Sequence, residues 1–228
     1  MNHFVISAAL SSFIATITSL VVYLTRSPKR ANRLLALYWL SIAFWSFFVG
    51  TQPHSIVFLN PFWWGWLLHL GCTFIPVLLF HFTVYFTEQK SSNYRLVLTI
   101  SYGMTLLFNA LNFFTKAFTN GTVYRGAYAY PKPSQLYPLY FFFFVILVSW
   151  SFLLFIRYLP KLTTKESEAL KFMLLGQLLA YLGGMDNFLI MADVRLFPLY
   201  PYGLYLVFPY VLFGGYAISR VNILNRGC

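Results

Sequence analysis

The chain has 228 residues, of which 59% are hydrophobic and 9% charged, with 26 Phe, 17 Tyr and 6 Trp. Soluble domains carry about 25% charged residues, and five acids cannot keep this much aromatic surface in water. A soluble domain is therefore excluded. The net charge of +11 reads as membrane topology and attraction to anionic headgroups rather than nucleic-acid binding.

A bilayer-crossing helix needs about 20 mostly apolar residues. Residues 4–24 form the first such run. It lacks a basic stretch ahead of it and a small-residue cleavage site, so it reads as a span rather than a secretory signal. The connection "TRSPKRANR" leads to a second span, 34–51, and "QPHSIVFLNP" to a third, 62–86. Trp63, Trp64 and Trp66 at the start of the third span fit an interfacial aromatic belt. The fourth span covers 96–114. The long connection after it holds Asn120-Gly121, a turn signal, and a Tyr/Val-rich alternation around Arg125-Gly126; together they predict a small hairpin capping the bundle. Spans 137–158, 172–192 and 200–219 complete the set, and the fold class is an all-α seven-transmembrane helix bundle.

Lys and Arg are distributed unevenly between the two sides. Twelve flank spans on the side of the second-span entrance and the C-terminus, against Lys116, Arg125, Lys132 and Arg195 on the other. The positive-inside rule places the N-terminus outside, the C-terminus in the cytoplasm and the hairpin outside. The expected location is the cytoplasmic (inner) membrane, crossed several times.

The spans limit the chemistry. No span has an interior lysine, which excludes a retinal Schiff base. Asp186, in Gly183-Gly184-Met185-Asp186, is the sole acid well inside a span, and one carboxylate cannot form an aspartyl dyad. His69 and His81, twelve residues apart, are separated by about 18 Å along a helix and cannot share a metal. His81 is expected to pack or to bond a backbone carbonyl. No catalytic residues, metal or cofactor are expected. Cys72 lies within a span and Cys228 ends the sequence, so no disulfide is expected between them.

What remains is a polar layer. His69 lies about 10 Å below the outer end of its span and Asp186 about 9 Å below the end of its own. Asn109, Asn112, Asn187, Tyr140 and Tyr205 reach similar depths. A carboxylate in the membrane is costly and points to function, and polar groups converging from several helices point to a pocket open to the outside for a small, partly apolar ligand. The competing reading is that Asn and His here only bond neighbouring helices. Gly176, Ala180 and Gly184, spaced by four, are expected to face another helix closely. Pro76 and Pro209 are candidate kinks.

Several segments in order carry a resemblance: "KRANRLLALYWLSIAFWSF", "FIPVLLFHFTVYFT", the hairpin leading to "LYPLYFFFF", "ESEALKFMLLGQLLAYLGGMDNFL" and "YAISRVNILN". In this succession the chain resembles the N-terminal seven-transmembrane region of bacterial sensor histidine kinases and related signalling proteins. The resemblance implies a sensor domain over residues 1–220, the start of a cytoplasmic linker at 221–228, an output domain beyond, and a homodimer formed through that module. It implies a receptor signalling through its last helix, not an enzyme in this region. A small transporter or a membrane subunit without a ligand are the alternatives.

Overall fold

In the computed structural model, residues 3–25, 30–51, 61–125, 128–194, 196, 202–210 and 213–214 are described. Six long helices follow one another: α1 (His3–Thr25), α2 (Arg30–Thr51), α3 (Pro61–Phe86), α4 (Ser92–Phe114), α5 (Tyr137–Tyr158) and α6 (Thr164–Met191). Between α4 and α5 lie strands β1 (Thr119–Arg125) and β2 (Tyr128–Pro133). All six helices are long and apolar enough to cross a membrane, so the chain is a multi-pass helical membrane protein. Of the expected seventh span, residues 203–206 form a 3-10 turn that leads into α-helical residues 207–210. Its remainder past residue 214 and the expected linker at 221–228 lie outside the described residues.

The helix ends are set by local chemistry. The Ser91 hydroxyl accepts from the Asn93 backbone N–H at 3.3 Å at the start of α4. At α6, the Thr163 backbone N–H and hydroxyl both reach Glu166 Oε2, at 3.0 and 2.8 Å. This Thr-x-x-Glu pairing starts the helix eight residues before the apolar window expected from hydropathy. Both α3 and α6 end in the same way. Glu88 and Asp193 adopt positive φ, 56° and 64°, while Gln89 N–H bonds the Val84 carbonyl and Val194 N–H that of Leu189. A left-handed residue at these positions closes the last carbonyls of each helix.

The strands pair antiparallel, with a register shift between Thr119 and Thr122. Asn120-Gly121 therefore makes a bulge inside β1 and not the expected turn. Gly121 has φ +80°, which a glycine supplies at a bulge without steric cost. Residues 126–127, between the two strands in sequence, lie outside those described.

Helix α3 is the hub, packed against α2, α4, α5 and both strands. Its aromatic start divides: Trp63 is exposed, whereas Trp64 is buried and donates Nε1–H to the Phe48 carbonyl at 2.9 Å. Trp64 is a helix-helix contact, and the expected belt is narrower than three tryptophans. Helix α1 is stapled to α2 by hydroxyls, Ser12 to the Ala43 carbonyl at 2.9 Å and Ser19 to that of Ala36 at 2.8 Å. Helix α6 packs its backbone against the 203–206 turn and β2, and reaches α2 and α5 through long side chains, Tyr181 meeting Tyr38 and Phe144.

The small residues of α6 divide between two neighbours. A Cβ on Gly176 would stand 2.8 Å from the Tyr210 Cα, and one on Gly183 would collide with the Gly203 carbonyl. A Cβ on Gly184 would meet only the Trp45 ring, at 3.6 Å. The close approach thus runs along Gly176 and Gly183, two turns apart, because that face meets the 203–213 segment.

Candidate functional site

Asn109 joins α4 to α3 and Asn112 joins α4 to β1, while His69, one turn of α3 before Thr73, sets its ring against Phe118 and Tyr137. His69 Nδ1 lies 2.8 Å from the Gly65 carbonyl. A carbonyl only accepts, so Nδ1 carries the proton and Nε2 presents a lone pair. That Nε2 is buried and has no partner among the described residues. One turn along α3, the Thr73 hydroxyl accepts from Asn109 Nδ2 at 2.7 Å, and the same amide donates to the Thr105 carbonyl at 2.8 Å. Asn112 Oδ1 accepts from the Thr119 hydroxyl at 2.7 Å, tying α4 to β1. Phe118 stands edge-on to His69, with ring centres 5.4 Å apart.

Tyr140 adjoins this cluster through Phe118, and the remaining expected residues lie elsewhere. Tyr140 is fully buried beside Phe118, its hydroxyl donating to Cys72 Sγ at 3.0 Å. Tyr205 stands on the 203–206 turn, its hydroxyl 3.3 Å from His3 Nδ1. Asn187 is buried on α6, and neither its Oδ1 nor its Nδ2 has a partner among the described residues. The Asp186 side chain lies outside the described residues. His81 does not bond a backbone carbonyl; its Nδ1 is 2.9 Å from the Tyr102 hydroxyl.

A cavity of about 40 Å³ lies between α2, α3, α5, α6 and Val207. Its wall is mostly apolar and aromatic: Ile42 and Trp45, Ile75, Phe144, Ala180, Met185 and Phe188. Tyr38, Tyr181 and Cys72 add polar groups to that wall. The Tyr38 and Tyr181 hydroxyls are 3.1 Å apart, and Gln177 Nε2 donates to Tyr38 at 3.2 Å. None of the six expected residues whose side chains are described lines this cavity. One site for a water-sized group takes about 10–15 Å³ on the same measure, so the space holds a few heavy atoms unless side chains move.

Beside it lies a wider groove of about 500 Å³ beneath the ribbon, bounded by Val123, Lys132, Tyr137, Phe141 and the end of α6. Met185 and Phe188 line both spaces. They are therefore wall common to the groove and the smaller cavity. Phe188 is held by the rings of Phe141 and Phe144, with centres 5.3 and 5.4 Å away.

The cavity wall thus carries two tyrosine hydroxyls and the Cys72 thiol among apolar side chains, and the Gln177 amide reaches one of those hydroxyls from behind. Among the described residues no group of three or more His, Cys, Asp or Glu could hold a metal ion. The sequence signals for this enclosure were Gln177, an amide within an apolar run, and Tyr38 and Tyr181, whose hydroxyls need partners when buried.

No family model matches the chain, and neither curated proteins nor solved structures give a match.

Proposed function

We propose that the chain is a membrane-embedded sensor module that takes a small, mostly apolar molecule between α2, α3, α5 and α6. One observation carries the reading: the smaller cavity and the groove share Met185 and Phe188 as their wall. A ligand resting in the groove would lie against those two side chains, and the Tyr38–Tyr181 pair belongs to the wall of the adjoining cavity. Polar groups few in number and fixed in place within an apolar enclosure are the ordinary make-up of a ligand site. The resemblance to sensor histidine kinase transmembrane regions supports transmission through the last helix to a cytoplasmic kinase or other output.

The test uses purified protein in detergent and a library of small apolar compounds. Some members should raise the melting temperature; occupancy at a hundredfold excess over Kd is worth about 2.7 kcal/mol. Ala180→Phe places a ring in the cavity and should abolish that stabilisation. A library without a single stabilising compound, or equal stabilisation of the Ala180→Phe protein, would defeat the proposal.

In the same reading the N-terminus and the ribbon face outward and the C-terminus faces the cytoplasm, on the strength of the twelve-to-four distribution of Lys and Arg. With Cys228 replaced by Ser, a membrane-impermeant thiol reagent on intact cells should label Thr122→Cys and leave Ser91→Cys untouched. Labelling of the Ser91 site alone would invert the topology.

A further inference from the structure

A second groove, of about 420 Å³, runs along the outside of the bundle where α2, α3 and α4 meet. It is separate from the cavity, with which it shares no lining residue. Leu37, Leu40, Phe44 and Phe74 make its apolar wall, and Leu37 and Leu40 are each 49% exposed. At one end the wall turns polar. Tyr102 lines the groove, its hydroxyl is 2.9 Å from His81 Nδ1, and His81 Nε2 is 3.5 Å from Arg30 Nη2. The Arg30 guanidinium also lies over the Tyr85 ring, 5.7 Å from its centre.

The donor directions follow from chemistry. A guanidinium only donates, so Nε2 of His81 is the acceptor and Nδ1–H points to the Tyr102 oxygen. The Tyr102 O–H is then free to donate outward, beside a guanidinium with further N–H groups to give. No carboxylate pairs with Arg30 among the described residues. In sequence, Arg26, Lys29 and Arg33 stand within four positions of it, so this end of the bundle favours anions. From Leu70 in the groove wall to His81 at the polar end is eleven steps along α3, about 16 Å, close to one leaflet of the roughly 30 Å hydrocarbon core.

We infer that this groove is a binding site for one anionic phospholipid. Arg30 and the Tyr102 hydroxyl hold the phosphate, and an acyl chain lies along Leu37, Leu40, Phe44 and Phe74. The pairing of one charge site with an apolar trough one leaflet long fits a lipid and does not fit a free phosphate, which has no use for the trough. The inference is independent of the sensor reading, since the groove shares no lining residue with the cavity.

Native mass spectrometry of the delipidated protein tests it, with phosphatidylglycerol, phosphatidylcholine of the same chains, and glycerol phosphate as probes. One phosphatidylglycerol should bind about tenfold more tightly than phosphatidylcholine, and Arg30→Ala should erase that preference, as loss of a charge-assisted hydrogen bond implies. Tyr102→Phe should weaken phosphatidylglycerol by several fold. Leu40→Trp, which narrows the trough, should weaken both lipids. Arg30→Gln substitutes for Arg30→Ala should the latter not fold. Equal binding of the two lipids by the native protein, unchanged preference in either Arg30 variant, or displacement of lipid by equimolar glycerol phosphate would each overturn the inference.

Discussion

Gly183→Leu is expected to unfold the α6 contact with the 203–213 segment, lowering stability by at least the upper end of the about 1–3 kcal/mol typical of overpacking. The reason is the kind of atom in the way. A Cβ at Gly183 meets the carbonyl of Gly203, which is backbone, and stands 3.0 Å from the Leu206 Cβ. Backbone cannot rotate aside as a side-chain tip can. Even Gly183→Ala should be measurably destabilising in an unfolding titration in mixed micelles. Gly103→Ala is the control, since nothing lies within 4 Å of a Cβ there; it should change stability by no more than about 1 kcal/mol, in the stabilising direction. Equal behaviour of the two glycines would refute the close approach.

Trp39→Ala should cost about 3–5 kcal/mol, the range for emptying a large buried aromatic site. Trp39 is 1% exposed, stacks on Tyr210 with ring centres 4.3 Å apart, and lies 3.0 Å from where a Cβ on Gly214 would be. It therefore fastens α2 to the same segment that Gly176 and Gly183 hold from α6. Trp39→Phe keeps an aromatic stack and should recover most of the loss. The difference between the two variants, read as the shift in unfolding midpoint, measures the stack. A Trp39→Ala protein within 1 kcal/mol of the native one would show that α6 and Tyr38 hold Tyr210 without the stack.

Apolar length located the six described helices because crossing hydrocarbon demands it. The expected 62–86 and 137–158 match α3 and α5 almost to the residue. The same criterion missed polar turns at helix starts. Helix α2 includes Arg30 and α6 begins at Thr164, where hydropathy is low; at α6 capping decides, and its Thr-x-x-Glu was legible as a motif although it sat in an expected loop. Depth was also readable, and it grouped His69 with Asn109 and Asn112. Direction around the helix was not. Helices apolar on every side leave no stripe to orient them, so Tyr38 and Tyr181, which line the cavity, looked like any other aromatic. His69 packs against Phe118 and Tyr137, contacts that depth along a span does not specify.

The 3-10 turn at Gly203–Leu206 gives the last segment a mechanical property. A 3-10 turn advances about 2.0 Å and 120° per residue, against about 1.5 Å and 100° in an α-helix. Rewinding these four residues would draw whatever follows about 2 Å toward them and twist it through about 80°. The Leu204 carbonyl, which accepts from Ser11 on α1 at 3.2 Å, resists that conversion like a catch. A hydroxyl on one helix thus sets the threshold at which a screw motion could begin in another.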